Sequence, residues 1–188
     1  MKINLNISGG KEMPNYRRLQ MPGSTWFFTV NLLQRHNNNL LIEEITTLKA
    51  CIKKVHRARP FEIIAWVVLP DHMHCLWRLP EGDTDYAIRW RLIKTYFSKA
   101  IPPQEYRSAI RIKNGERGIW QRHYWEHWIR DEYDFKQHFD YIHRNPVKHK
   151  LVNRVVDWPY STFHKYVKAG IYPANWCGDS SVKIEVGE

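Results

Sequence analysis

Two histidines one residue apart stand in an apolar segment that prolines bound on both sides. They are His72 and His74 of LPDHMHCLWRLP, residues 69–80. On a β-strand, side chains two apart point to the same face about 6.8 Å from each other, so both imidazoles could form half of a metal site. The chain has 10 histidines in 188 residues, and such a pair then arises by chance about half the time. Spacing alone leaves two interpretations open, a metal site or two polar residues in an ordinary strand.

A second histidine pattern competes with the first. The segment HYWEH, from His123 to His127, matches the His-x-x-Glu-His sequence of inverted zinc proteases, in which both histidines lie on one helix face and bind zinc. The surrounding aromatic residues favour a strand, on which residues four apart are too distant to chelate one ion easily. His127 is the residue of interest here, with a structural histidine as the simpler interpretation. A zinc hydrolase that uses His123 and His127 remains an alternative function.

A helix predicted over 130–145 carries a tyrosine and an amide that could join such a site. Its apolar residues at helical spacing form the expected buried stripe: Phe135, Phe139 and Ile142. At about 100° per residue, Tyr141 lies roughly 100 to 160° from that stripe, so we expect its ring to be exposed. Asn145 precedes Pro146, whose ring disfavours helical geometry at the residue before it, so we predict that the helix ends there and that the amide points into a site. Two imidazoles and an amide would leave metal positions open to phosphate and water, as in catalytic sites.

The remaining pattern predicts the elements that must position these residues. Strands are expected from β-branched and aromatic runs at 25–33, 61–69, 72–79 and 119–129. Helices are expected from apolar periodicity at 42–59, 84–100 and 130–145. The order β-α-β-β-α-β, followed by a helix and an irregular tail, predicts an α+β fold: a ferredoxin-like split β-α-β antiparallel sheet with helices on one face. Thr84 or Asp83 should cap the second helix, and residues 104–118 should form a loop.

The charge and aromatic content indicate a polyanionic partner. The chain carries 29 Lys and Arg against 19 Asp and Glu, a net charge of +10, together with 9 Trp, 10 Tyr and 7 Phe. Proteins bind single-stranded nucleic acid with cationic grooves that follow phosphates and aromatic faces that stack on unpaired bases. A basic protein with a large aromatic core would have the same composition, so both interpretations stay open.

Cysteine usage and hydropathy exclude several classes of protein. Cys51, Cys75 and Cys177 are odd in number and widely spaced, which fits neither a disulfide framework nor a four-cysteine zinc site. Each is expected to be a buried or half-buried small apolar residue. The sequence has no run of about 18 apolar residues that could span a membrane. The N-terminus lacks the long apolar segment of a secretion signal, so we expect a cytoplasmic protein.

Several segments together resemble a known family, the REP-associated tyrosine transposases, which are relatives of the small bacterial HUH single-strand transposases (IS200-like). The resemblance covers nearly the whole chain from about Met13. It is carried by NYRR at 15–18, TWFFTVNL at 25–32, RPFEIIAWVVLPDHMHCLWRLPEGD at 59–83, WQRHYWEHWIRD at 120–131, DYIHRNPVKHKLV at 140–152 and DWPYSTFHKYVKAGIYPANW at 157–176.

The resemblance implies an HUH nuclease fold and a metal-dependent reaction. In this interpretation His72 and His74 bind Mg²⁺ or Mn²⁺, and Asn145 is the third protein ligand. Tyr141 is the nucleophile, which attacks a DNA phosphodiester and leaves a 5′-phosphotyrosine link and a 3′-OH. The implied function is a single-stranded DNA endonuclease and strand transferase at REP (BIME) hairpins. The alternative is a catalytically silent DNA-binding protein at the same repeats.

The resemblance also implies a domain plan and a set of DNA contacts. Residues 1–12 lie outside it and are expected to be a disordered extension, 13–152 form the nuclease domain, and 153–188 form a tail that packs on or near it. We expect a bacterial, nucleoid-associated monomer that binds hairpin and single-stranded DNA. The basic residues expected to contact DNA are Arg17, Arg18, Arg89, Arg91, Lys94, Arg122 and Lys148.

One position departs from the pattern of this family. The segment NPVKHKLV has Lys150 where the family usually has glycine. A glycine there indicates a left-handed backbone residue at a helix end, a conformation that lysine adopts at some cost. The sequence therefore leaves the local backbone at Lys150 and the placement of the tail open, but none of the proposed ligands.

Overall fold

A computed structural model describes residues 23–178 of the chain. The predicted extension at 1–12, the predicted DNA contacts Arg17 and Arg18, and the last ten residues lie outside the described residues.

One antiparallel sheet organises the described part of the chain. Its strands are β1 (Thr25–Asn31), β2 (Glu62–Val68), β3 (His72–Arg78) and β4 (Trp125–Trp128). They lie in the order β2-β3-β1-β4, so β3 separates β1 from β2 and pairs with both in antiparallel register. This is the split β-α-β arrangement that the sequence predicts.

The helices follow the predicted order with several changed boundaries. They are α1 (Leu40–Glu43), α2 (Ile45–Ala58), α3 (Tyr86–Ala100), α4 (Ala109–Lys113), α5 (Glu132–Lys148) and α6 (Phe163–Lys168). Asp85, rather than Thr84 or Asp83, caps α3 by accepting a hydrogen bond from the backbone of Ile88. The predicted loop at 104–118 contains α4, and the predicted strand at 119–129 shortens to β4. Within residues 23–178, no helix is both long and apolar enough to cross a membrane.

The side chains of β3 alternate between two cores. Met73, Cys75 and Trp77 point to the face that α2 and α3 cover, and the sequence predicted helices on one face only. Leu76 points to the opposite face, where it packs with residues of α5 and α6 such as Ile142 and Phe163. The sequence pattern did not predict where the helix after β4 packs. This helix, α5, forms a second helical layer on the Leu76 face of the sheet. Burial of each such large apolar side chain contributes about 1.5–3 kcal/mol.

Most of the aromatic residues of the described chain lie in these two cores. Trp77 and Trp90 stack with ring centroids 4.2 Å apart on one face, and Phe139 contacts Tyr166 and Tyr172 on the other. Among the described residues, the exposed large aromatic side chains are Tyr106, Trp125 and Tyr133. The composition thus reflects a large aromatic core more than a surface for base stacking.

The cysteines follow the prediction in two cases out of three. Cys51 and Cys75 are buried in the core on the α2–α3 face, as expected, and burial raises the pKa of both thiols. Cys177 is exposed, so the expectation of burial is wrong for it. It lies beyond α6, where the chain has left the sheet.

Arg89 is a structural residue, which corrects its prediction as a DNA contact. Its side chain is 2% exposed and pairs with the carboxylate of Asp83 at 2.6 Å. The guanidinium also donates hydrogen bonds to the carbonyl oxygens of Pro60 and Asp85, each at 2.8 Å. A buried charge is tolerated only when it is paired in this way. Arg89 thereby ties the start of α3 to the chain between α2 and β2.

The end of α5 differs from the prediction at Asn145. The helix continues through Pro146 to Lys148. Its end is closed by hydrogen bonds from the backbone N–H of Lys150 to Val147 and of Leu151 to Pro146, the pattern of a Schellman cap. These bonds outweigh the local bias against helix before proline. Lys150 has φ +57°, so the lysine adopts the left-handed conformation that glycine at this position indicates in the family.

We predict that Lys150→Gly raises the free energy of unfolding by about 0.5–1 kcal/mol, because glycine adopts positive φ without a Cβ clash. Urea denaturation of both proteins measures the difference. Lys136→Gly, at an exposed position inside α5, is the control and should lower stability by about 1 kcal/mol. A Lys150→Gly protein no more stable than the parent would contradict the assignment of strain to this residue.

Candidate active site

The two histidines of β3 point to the α5 face of the sheet. The ring centroids of His72 and His74 lie 5.0 Å apart. Both residues are buried, with exposed fractions of 1% and 0%. The predicted strand and the predicted common face are both present, and the histidines are not surface residues.

Each of these histidines is oriented by a hydrogen bond at Nδ1. Asp71 lies with Oδ1 2.7 Å from Nδ1 of His72. The hydroxyl of Thr29, opposite on β1, lies 2.9 Å from Nδ1 of His74. With Nδ1 engaged, Nε2 is the nitrogen that each ring would present to a metal. Metal-binding histidines in proteins are held in the same way by a carboxylate or other oxygen on the second ring nitrogen.

The charge of Asp71 is stabilised although the residue is half-buried. Burial favours its neutral form, but hydrogen bonds with His72 and Arg35 prevail and hold the pKa of Asp71 at about 2. The Nε of Arg35 donates to Oδ2 of Asp71 at 2.6 Å. Burial also lowers the pKa of His72, against the effect of Asp71. A neutral imidazole beside an ionised carboxylate is the protonation state that a metal ligand requires.

Tyr141 lies on α5 directly beside the histidine pair. Its ring centroid is 5.4 Å from that of His74 and 6.2 Å from that of Phe27. The side chain is half-buried, so the expectation of an exposed ring is wrong, because the sheet face that carries His74 extends under this part of α5. The predicted helix face is nevertheless distinct from the Phe139–Ile142 side, which is buried.

Lys148 contacts the nucleophile candidate rather than standing apart as a DNA contact. Its Nζ donates a hydrogen bond to the hydroxyl of Tyr141 at 2.7 Å and lies 4.8 Å from the centre of the ring. Since the two residues are seven positions, or about two helical turns, apart, the contact depends on the continuation of α5 past Pro146. An ammonium group in this position stabilises negative charge on the phenolic oxygen.

Asn145 and His149 extend the same face of α5 toward the histidines. At four-residue spacing, Tyr141, Asn145 and His149 follow one side of the helical path. Asn145 is fully buried within α5. Its amide is therefore positioned by the interior of the helix, and the prediction that a helix end positions it is wrong. The ring of His149 lies 5.2 Å from that of His72. Sequence reasoning missed His149, whose four-residue spacing from Asn145 was hidden by the helix end predicted at Pro146.

The donor set of this face suits a divalent cation. It contains the imidazoles of His72 and His74, the amide of Asn145 and the imidazole of His149. Nitrogen and amide oxygen donors bind Mn²⁺, and an amide oxygen also suits Mg²⁺. The hydrogen bonds at Nδ1 of the first two residues show a supporting arrangement of the kind that metal sites use.

The second histidine pattern does not form a zinc protease site. His127 lies on β4, whereas His123 is exposed and precedes the strand. The helix that gives His-x-x-Glu-His its meaning is therefore absent from this segment, as the aromatic residues predicted. His127 instead lies 2.9 Å from a carboxylate oxygen of Asp134 at the start of α5.

A basic groove runs between α3 and residues 108–124. Its cationic lining residues are Arg91, Lys94, Lys99, Arg111, Arg117 and Arg122. Its volume of about 1710 Å³ exceeds the range of about 300–1,000 Å³ that small-molecule sites occupy. Gln121, at one edge of the groove, donates from its backbone N–H to Asn31, which is paired with His72. Three of the predicted DNA contacts, Arg91, Lys94 and Arg122, thus share one groove on the α3 side of the sheet.

Comparisons with known proteins find relatives of this chain by sequence and by structure. The family described as Transposase IS200 like matches residues 30–145. A REP-associated tyrosine transposase of Escherichia coli (strain K12) is 51% identical, over 89% of this chain and 93% of that protein. A solved structure of a REP-associated tyrosine transposase bound to a REP hairpin is 47% identical, with a TM-score of 0.76, and the match covers 94% of this chain and all of the other.

Proposed function

Because the chain belongs to the REP-associated tyrosine transposases of the IS200-like family, we propose that it cleaves and rejoins single-stranded DNA at REP hairpins through a 5′-phosphotyrosine intermediate. The observation that carries this proposal is the position of Tyr141. Its hydroxyl accepts a hydrogen bond from Lys148, and its ring adjoins His74 in a face that could hold a metal.

The metal-binding residues of this proposal are His72, His74 and Asn145, with His149 as a further donor. Mg²⁺ or Mn²⁺ bound there would polarise the scissile phosphate and offset charge on its oxygens. Asp71 and Thr29 are positioning residues, since they hold the two imidazoles through Nδ1.

The reaction assigned to Tyr141 is a transesterification. A tyrosine of ordinary pKa near 10 is mostly protonated at neutral pH, so the oxygen needs help to become a nucleophile. The ammonium group of Lys148 supplies it by stabilising the phenolate as the proton leaves. The phenolic oxygen forms a bond to phosphorus, the bond from phosphorus to the 3′-oxygen breaks, and that oxygen takes up a proton as the 3′-OH. One phosphoester replaces another, so attack by a 3′-OH can reverse the step without a nucleotide cofactor.

The basic groove is the proposed path for DNA outside the cleavage point. The structural relative is bound to a REP hairpin, and the groove combines high positive charge with a size suited to a nucleic acid strand. Lysine and arginine on such a surface bind phosphates and release counterions. The histidines, the tyrosine and the lysine of the site all belong to one chain, which supports a monomer as the active unit.

The first functional prediction concerns the nucleophile. Tyr141→Phe should abolish the covalent protein–DNA adduct on REP hairpin DNA, because phenylalanine cannot form a phosphoester, and should leave hairpin binding unchanged. Unfolding free energy should change by less than about 1 kcal/mol, since one exposed hydrogen bond is lost. Denaturing electrophoresis detects the adduct. Tyr133→Phe, at an exposed position of the same helix, is the control and should form the adduct normally; adduct formation by Tyr141→Phe would refute the assignment.

The second prediction concerns the metal. His74→Ala should abolish cleavage while hairpin binding persists, because affinity comes from many phosphate contacts elsewhere. Asp71→Asn should weaken Mn²⁺ binding by about 10- to 100-fold, as loss of an orienting carboxylate does in other metal sites. Calorimetric Mn²⁺ titration and hairpin cleavage measure the two effects. His56→Ala, an exposed histidine on α2, should match the parent, and undiminished cleavage by His74→Ala would exclude the proposed site.

The third prediction concerns the groove. Arg91→Ala and Arg122→Ala should each weaken hairpin binding and reduce the slope of log K against log salt by about 1. Fluorescence anisotropy over a range of salt concentrations measures the slope. Arg154→Ala removes an exposed arginine that does not line the groove and should leave the slope unaltered. Equal slopes in all three variants would place the DNA on another surface.

A further inference from the structure

Three polar side chains between β4 and the start of α5 converge on one point outside the proposed active site. Nε2 of His127 lies 2.9 and 3.1 Å from the two carboxylate oxygens of Asp134. Nδ1 of His138, one turn further along α5, lies 3.0 Å from Oδ1 of the same carboxylate. The two imidazole rings are nearly parallel, at an angle of 15° with centroids 4.5 Å apart. One potential ligand atom from each residue lies within 4.8 Å of the other two.

Hydrogen bonding alone accounts incompletely for this cluster. Asp134 is well satisfied, since the backbone N–H of Arg130 also donates to Oδ2 at 3.0 Å. The side chain of His138 is 3% exposed, and its Nε2 is buried without a hydrogen-bond partner among the described residues. A protein that needed only to satisfy Asp134 would not have to bury a second imidazole with one nitrogen unsatisfied, which costs about 1–3 kcal/mol. Nδ1 of His138 lies 2.9 Å from the backbone oxygen of Asp134, so Nε2 is the nitrogen of this imidazole that remains to bind a ligand.

The donor set and its spacing match those of a tetrahedral metal site. Two imidazole nitrogens and one carboxylate oxygen are a common ligand set of Zn²⁺. In a tetrahedron with bonds of about 2.0 Å the ligand atoms lie about 3.3 Å apart, so the distances of 2.9 and 3.1 Å between His127 and Asp134 need to widen only slightly. A potential ligand atom of His138 lies within 4.8 Å of both. Two nitrogen donors favour a borderline cation over Mg²⁺ or Ca²⁺. His127 is 25% exposed, which leaves a route for an ion from solvent.

We propose that His127, Asp134 and His138 form a second metal site that binds Zn²⁺ or a similar borderline divalent cation and fastens α5 to β4. This site differs in position and ligands from the one assigned to His72 and His74. His138 precedes Tyr141 by three residues on α5, and the ring of Phe27 contacts both, at 4.7 and 6.2 Å. A metal at this point stabilises the helix that carries the nucleophile at its contact with the sheet.

Zinc content and thermal stability test the proposal. After incubation with Zn²⁺ and gel filtration, the parent should retain one more equivalent of zinc by mass spectrometry than His127→Gln or Asp134→Asn. His123→Gln, an exposed histidine of the same segment, is the matched control and should retain as much as the parent. Equal zinc in the parent and in folded His127→Gln would overturn the proposal.

A second measurement separates this site from the catalytic one. In His74→Ala, which lacks a donor of the proposed active site, Zn²⁺ at about 100 times its Kd should raise Tm by about 5 °C or more. The combined variant His74→Ala/His127→Gln should show no such rise. Co²⁺ added to His74→Ala should give the strong visible absorption of a tetrahedral site. If His74→Ala shows neither the rise nor the absorption, the cluster is a hydrogen-bonded structural element and binds no metal, even if the His127 and Asp134 variants fail to fold.

Discussion

The packing of α5 on the sheet is the contact on which the whole site depends. Its apolar part places Phe139 and Ile142 against Phe27 and Leu76. Beside this contact the same helix carries the tyrosine, and the same sheet face carries the histidine pair. Because a packed interior does not deform gradually, this contact fixes the position of the proposed nucleophile, Tyr141, relative to the proposed metal ligands.

The two imidazoles of the histidine pair are stable in the interior because each has a specific partner at Nδ1. A buried polar group that loses its hydrogen bond costs about 1–3 kcal/mol. Thr29 and Asp71 supply those partners for His74 and His72, and Arg35 in turn holds Asp71. Thr29 and Asp71 belong to the sheet and its β2–β3 turn, and Arg35 lies between β1 and α1, so the imidazoles are oriented before any DNA is bound. Preorganised groups of this kind are what catalysis by electrostatic stabilisation needs.

The proposed catalytic residues and the basic groove lie on different sides of the sheet. The face with α5 carries the proposed reacting groups, whereas the basic groove lies along α3 and residues 108–124. Lys94 connects the groove to the fold by donating to the carbonyl oxygen of Gln121 at 2.6 Å. Arg89, on the same helix, turns inward and serves the core. Arg91, two residues further along α3, lines the groove instead, because residues two apart lie on nearly opposite sides of a helix.

Periodicity predicted the elements well, because an apolar residue at every second or every third to fourth position encodes which face is buried. It correctly indicated the split sheet and the common face of His72 and His74. The preference of single residues was less informative where hydrogen bonds compete with it. Proline at 146 predicted a helix end, but capping bonds carry α5 one turn further and bring Lys148 and His149 to the site.

The sequence by itself determined the order of elements, the orientation of the histidine pair and, through the resemblance of its motifs, the family. The tertiary structure alone decided which face α5 covers, that Arg89 is buried, and that His127 meets Asp134 and His138. The reason is the range of the interactions. A face or a cap depends on neighbours within a few residues, whereas the bond between Thr29 and His74 joins residues 45 positions apart, and no local pattern records which distant partner a buried polar group will find.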